Sequence, residues 1–121
     1  MTAFGGETKK HFNVKEAETF SVDRFVRKRL FATSGMHCNI YCIAPGQENP
    51  LHRHPISDEI LYFTQGEGEC VVGDETYAVK TGDLVWVPKD APHAIRNTHR
   101  TLNMVCVLAQ APLPCEHVPV G

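Results

Sequence analysis

The stretch "LHRHPISDEI", residues 51–60, sets His52 and His54 two positions apart and Glu59 five positions further on, and His93 follows "VPKDAP" later in the chain. Side chains at i and i+2 of an extended segment project to one face, so His52 and His54 point together if this segment is a strand. Three imidazoles and one carboxylate suit a first-row divalent cation, and a six-coordinate ion held by four such donors keeps two positions open for outside ligands. Each imidazole must then bind as the neutral tautomer, oriented by a hydrogen bond from its other ring nitrogen, and Glu59 must be ionised. The His52 and His54 pair is weak as a motif by itself, because seven histidines in this chain produce such a spacing by chance. A polar loop at His52 and His54, a solvated strand start at Glu59 and a turn cap at His93 are the plain alternatives.

Donors this far apart meet only if several strands position them. "RFVRKRLFAT", "MHCNIYCIA", "EILYFTQ", "GECVV", "TYAVK", "DLVWVP", "HAIRN" and "TLNMVCVLAQ" are rich in Val, Ile, Tyr, Phe or Thr and are bounded by turn residues. The turns "APGQENP", "QGEGE", "VGDET", "KTGD" and "PKDAP" supply the Gly, Pro, Asn and Asp that sharp reversals need. An all-β sandwich or closed barrel follows, since closure removes aggregation-prone edges. Only "VKEAETFS" reads as a helical turn, and "APLPCEHVPVG", residues 111–121, with three prolines, reads as an extended tail over the surface.

The chain has 121 residues, enough for a single domain over 1–121 with its own core. A net charge of -2 gives no bulk attraction for phosphate backbones, and the basic run Arg24, Arg27, Lys28 and Arg29 reads as the solvated face of a strand. No nucleic-acid partner is expected. There is no signal-peptide core and no membrane-length apolar stretch, so the expected location is cytoplasmic, away from membranes. Cys38 and Cys42 on one strand stand roughly 13 Å apart, too far for a disulfide. With an odd count of five cysteines and no C-x-x-C pair, reduced and mostly buried thiols are expected.

The motifs resemble those of the cupins over about residues 44–98. In "GQENPLHRHPISDEILYFTQG", Gly46, His52, His54, Glu59 and Gly66 follow the spacing of the family's first motif, residues 46–66. In "GDLVWVPKDAPHAIRN", Gly82, Pro88, His93 and Asn97 follow the second, residues 82–97. Asp90 stands where that motif has glycine, and Asp tolerates the left-handed backbone region better than most residues, so the turn is expected to survive. The resemblance implies an antiparallel β-barrel of jelly-roll type with one divalent transition metal held by His52, His54, Glu59 and His93. Fe(II) or Mn(II) is favoured over Ni, Zn or Cu, because a tetrahedral structural zinc site would be filled by these donors and would more often include thiolates.

By alternation Leu61 and Phe63 share the face of Glu59, and Ile95 and Asn97 that of His93. These four and Trp86 are the substrate-pocket candidates, with core packing the ordinary role of the apolar ones. His37, His11, His99 and His117 have no partner at ligand spacing and read as surface or structural residues, and "CEH" at 115–117 is set aside as a metal site.

Two open positions suit a small molecule that chelates through two oxygens, which makes a dioxygenase the favoured reaction class. A non-redox isomerase, epimerase or lyase would need a proton-transfer group, with His37, Tyr41, Tyr62 and Tyr77 as the inward candidates. A non-enzymatic protein that binds or senses a small ligand is the third reading. The alternating strand "RFVRKRLFAT" could extend a neighbour's sheet, so a homodimer is expected.

Overall fold

The computed structural model describes residues 9–121. Apart from one helical turn, α1 (Val14–Ala17), its regular structure is all strand: β1 (Val26–Ala32), β2 (His37–Ile43), β3 (Glu48–Arg53), β4 (Asp58–Gln65), β5 (Glu67–Val72), β6 (Glu75–Lys80), β7 (Leu84–Val87), β8 (His93–Arg96), β9 (Met104–Ala111) and β10 (Val118–Pro119). They form two five-stranded antiparallel sheets, ordered β1-β2-β9-β4-β7 and β10-β3-β8-β5-β6. The jelly roll expected from the sequence is present, as two facing sheets without one continuous ladder closing the barrel. No helix among the described residues is long and apolar enough to cross a membrane.

Alternation fills the space between the sheets. Glu59, Leu61 and Phe63 of β4 are buried while Asp58, Ile60 and Tyr62 are exposed, the period of two expected of a half-buried strand. Tyr41, Ile43, Leu61, Phe63, Cys70, Val87, Ile95, Met104, Cys106 and Leu108 make the inner core. A second cluster lies where Phe12, Val14, Ala17 and Phe20 of the N-terminal segment pack with Leu30, Ile40, Cys42 and Val105. All five cysteines are free thiols, Cys42, Cys70 and Cys106 among the buried residues.

Two backbone devices shape the site. Along β3 the register runs Asn49↔Ile95 and then His52↔His93, three steps on β3 against two on β8, so one extra residue is bulged into β3. Strict alternation would send Asn49 and His52 to opposite faces, whereas the bulge leaves both buried. Asp90 has φ 66°, the left-handed conformation expected of its turn. Its N–H donates to the His54 carbonyl at 2.7 Å, and its carboxylate accepts from Arg53 Nη1. The turn before His93 is thereby tied to the segment carrying His54.

Two stretches differ from the sequence expectation. "ENP", counted with the turn "APGQENP", instead opens strand β3, which continues through "LHR". The C-terminal tail is extended as expected, yet it is stitched down as β10, with Val118 opposite Arg53, Pro119 opposite His52, and Val120 N–H donating to Leu51 O at 3.1 Å.

Candidate metal centre

His52 and His93 face each other across the β3–β8 ladder, His54 leaves the end of β3, and Glu59 projects from β4 of the opposite sheet. Ligand atoms of His52, His54 and His93 all lie within 4.8 Å of one another. Glu59 Oε1 is 3.2 Å from His54 Nε2, and Glu59 Oε2 is 3.5 Å from His93 Nε2. All four side chains are buried, at 1% exposure for His52, Glu59 and His93 and 4% for His54.

The hydrogen bonds decide which atoms are free. His52 Nδ1 donates to Pro50 O at 2.7 Å, His54 Nδ1 to Glu116 O at 2.7 Å, and His93 Nδ1 to Ala91 O at 2.9 Å. A proton on each Nδ1 fixes the ring planes and turns each Nε2 toward the shared centre. Gln110 Nε2 donates to Glu59 Oε1 at 2.7 Å and so fixes the carboxylate. Among the described residues, the buried side-chain polar atoms without a partner are His52 Nε2, His54 Nε2, His93 Nε2 and Glu59 Oε2. Orphaned buried polar atoms are costly and rare, so four of them converging on one point fit a divalent cation that would satisfy all of them.

The electrostatics agree with that fit. Burial pushes the Glu59 carboxyl up, but the neighbouring His54 and His93 imidazoles and the Gln110 amide outweigh it and hold the group at about 2. Burial, aided by the His93 and other imidazole charges, lowers His52 to about 3. For His54 burial again favours the neutral ring, yet contacts with Cys115, Glu59 and the Glu116 carbonyl raise it to about 10. Facing Glu59 alone, His54 therefore keeps a second proton on Nε2, which a bound cation displaces.

The remaining sequence candidates fall differently. Leu61, Phe63 and Ile95 are fully buried in the inner core that carries the site. Trp86 stands on the outer face, away from the four donors: it pairs with Ile60, is 64% exposed, donates Nε1–H to Asp58 Oδ1 at 3.2 Å, and lines a surface cleft with Tyr77 and Leu84. Its strand neighbours Val85 and Val87 face inward, so alternation places Trp86 outward. Asn97 is buried but closed: Nδ2 donates to Ile43 O and Leu102 O, and Oδ1 accepts from His99 N–H, so it clamps loops. Of the tyrosines, Tyr62 and Tyr77 are exposed and Tyr41 alone is buried, its phenol pushed up by burial and by the Glu59 charge.

His117 is exposed, in keeping with its reading as a surface residue, and it lies against the metal centre. The His117 ring stacks on His52, centroids 4.2 Å apart and planes within 7°. Burial and the Arg27 charge lower its imidazole. The tail is held there by Ser57 Oγ donating to Pro112 O at 2.6 Å, and it supplies the Glu116 carbonyl that orients His54. Gln110 was also missed, although a lone amide at an inward position of the apolar run "MVCVLAQ" was the signal for it.

Several known proteins resemble this chain over part of its length. Protein SchB of Streptomyces halstedii is 37% identical over 67 residues, covering 55% of this chain and 48% of that protein. A 5-nitrosalicylic acid 1,2-dioxygenase of Bradyrhizobium sp is 38% identical over 72 residues, covering 59% of this chain and 34% of the relative. The chain thus spans half or less of the length of either. A protein with a double-stranded β-helix domain from Klebsiella pneumoniae superposes with TM-score 0.86 at 22% identity, covering 93% of this chain and 98% of that one, a likeness of fold. Residues 39–109 match the cupin domain family. That match covers more than half of the chain and contains His52, His54, Glu59 and His93, and the chain is therefore a member of the cupin family.

Proposed function

We propose that the chain holds one divalent transition metal through His52, His54, Glu59 and His93, iron(II) or manganese(II) in preference to nickel, zinc or copper, and acts as a dioxygenase on a small, chelating, oxygenated molecule. The observation that carries this reading is the convergence of four buried, partnerless donor atoms, three nitrogens and one oxygen. Nitrogen and oxygen donors without thiolate favour a six-coordinate ion over structural zinc. When bound, such an ion supplies Lewis acidity and, as iron, an electron path to dioxygen at its two remaining positions.

The chain's own residues supply the rest. Backbone carbonyls of Pro50, Ala91 and Glu116 hold the imidazoles in one tautomer, and Gln110 holds Glu59. Glu59 contributes the single negative charge. Leu61, Phe63 and Ile95 keep water from that side of the donors. The dioxygenase reading is supported by the relative named for that activity. The exposure of Tyr62 and Tyr77 removes two candidates for the proton transfer that an isomerase or lyase requires.

Elemental analysis of the purified protein, followed by anaerobic addition of chelating acids and then dioxygen, tests the reading. About one iron or manganese per chain with substrate-dependent dioxygen uptake is expected. A protein free of divalent metal, or a loaded protein that takes up no dioxygen with any chelating substrate, refutes it. We further propose a homodimer, supported by the position of β1 at the edge of its sheet; a monomeric mass by light scattering overturns that.

A further inference from the structure

The basic run at the start of β1 is not used by the metal centre, and two of its members, Arg24 and Arg27, line one cleft. A cleft of about 450 Å³ is lined by Arg24, Phe25, Arg27, Asn49, Pro50 and His117, with Glu48 at its side. That size falls within the range of small-molecule sites. Arg27 lies opposite Tyr41 in the β1–β2 register and is exposed at the edge of the sheet. Lys28, on the other face, reaches the Ala17 carbonyl and secures the N-terminal segment.

The charges in the cleft are unbalanced. Arg29 donates to Asn39, Arg53 pairs with Asp90, and Arg96 pairs with Glu48 at 3.2 Å. No ion pair among the described residues includes Arg24 or Arg27. Glu48, which also lines the cleft, is held by Arg96, while Arg24 and Arg27 line it with no ion-pair partner of their own. Guanidinium binds carboxylate through paired N–H donors, a geometry lysine cannot reproduce.

The cleft also shares a wall with the metal centre. His117 lines it and stacks on His52, and Pro50 lines it and accepts the His52 Nδ1–H through its carbonyl. Phe25 adds an aromatic side, its ring edge-on to Tyr41 at 5.7 Å.

We propose that Arg24 and Arg27 anchor the carboxylate of the substrate in this cleft, so that the molecule taken up is a small, flat organic acid whose other oxygens reach the metal centre. The proposal rests on the metal-centre reading above and deepens it by naming the substrate class. Arg27 is the specificity-determining residue and Arg24 assists it.

The test is calorimetric titration of the purified holoprotein under nitrogen with salicylate and with its uncharged amide, salicylamide, comparing wild type, R27Q, R27K and R24Q/R27Q, with metal content measured on every sample. Wild type is expected to bind salicylate at least tenfold more tightly than salicylamide. R24Q/R27Q should lose that preference at unchanged metal content, and R27K should recover only part of what R27Q loses. Equal salicylate affinity in wild type and R24Q/R27Q, or a wild type that does not discriminate between the two probes, overturns the proposal. Metal analysis separates the two failures. Samples without divalent metal refute the metal-centre reading, while the salicylate-to-salicylamide ratio across the variants still decides the cleft.

Discussion

The two ends of β8 bury polar side chains in the same sheet and use them in opposite ways. At one end His93 joins His52, His54 and Glu59, and each of the four keeps one buried atom without a partner. At the other end Asn97 is equally buried, yet its amide spends every bond on backbone groups of residues 43, 99 and 102. Burial therefore does not distinguish a structural polar residue from a functional one. What distinguishes them is whether the hydrogen-bonding capacity is closed within the chain or left open to a ligand.

Breaking the open end should give the largest effect. His93→Ala or His52→Ala is expected to weaken metal binding by more than ~100-fold, beyond the range for a residue that only supports a ligand. Competition with a calibrated chelator measures it, and unchanged affinity in either variant removes the basis of the site. Gln110→Ala leaves all four donors in place and loosens only Glu59, so a loss of about 10- to 100-fold is expected by the same assay.

The closed end should respond in stability instead. Asn97→Ala removes three hydrogen bonds, leaving the Ile43 and Leu102 carbonyls and the His99 N–H without that partner, which costs about 3 kcal/mol of unfolding free energy while metal stoichiometry stays the same. Denaturant unfolding reads the cost; a variant that folds normally but loses its metal would erase the contrast between the two ends.

Protons sharpen the comparison further. His54 is raised to about 10, so below that pH the metal-free protein carries a proton that a cation must displace. Calorimetry at pH 8 in buffers of different ionisation enthalpy should show about one proton released per ion bound, and metal affinity should fall as pH falls. The sign for folding follows from the same shift: stability from the raised pKa is fully present below the unfolded value of 6.5 and is lost as pH rises through about 10. That loss should appear in metal-free melting curves and be absent from metal-loaded ones. The smallest effect belongs to Trp86→Ser on the outer face, expected within about 0.5 kcal/mol of wild type with no change in metal binding.

Much of this was legible along the chain. The strands with clear alternation, β4 and β9, and the turn residues around Gly66, Gly82 and Asp90 follow local rules, and local rules are visible in sequence. β3 was harder to see because a bulge interrupts its period of two and a proline sits inside it. Trp86 lies on the outer face, away from the donors, as alternation from Val85 and Val87 already placed it. His117 was set aside because its contact with His52 joins segments far apart in the chain, which no spacing rule reaches.

The order of residues determined an all-β chain, the inward face of each regular strand, and four donors of the right chemistry, because the period of a strand and the identity of a ligand are properties of short segments. Tertiary structure decided which donor atoms stay bare and what surrounds them: the Glu116 carbonyl on His54, Gln110 on Glu59, His117 over His52, and two uncompensated arginines beside it. The hydrogen-bonded pairings among these span up to 62 residues of sequence, and only the folded sheets bring such partners together.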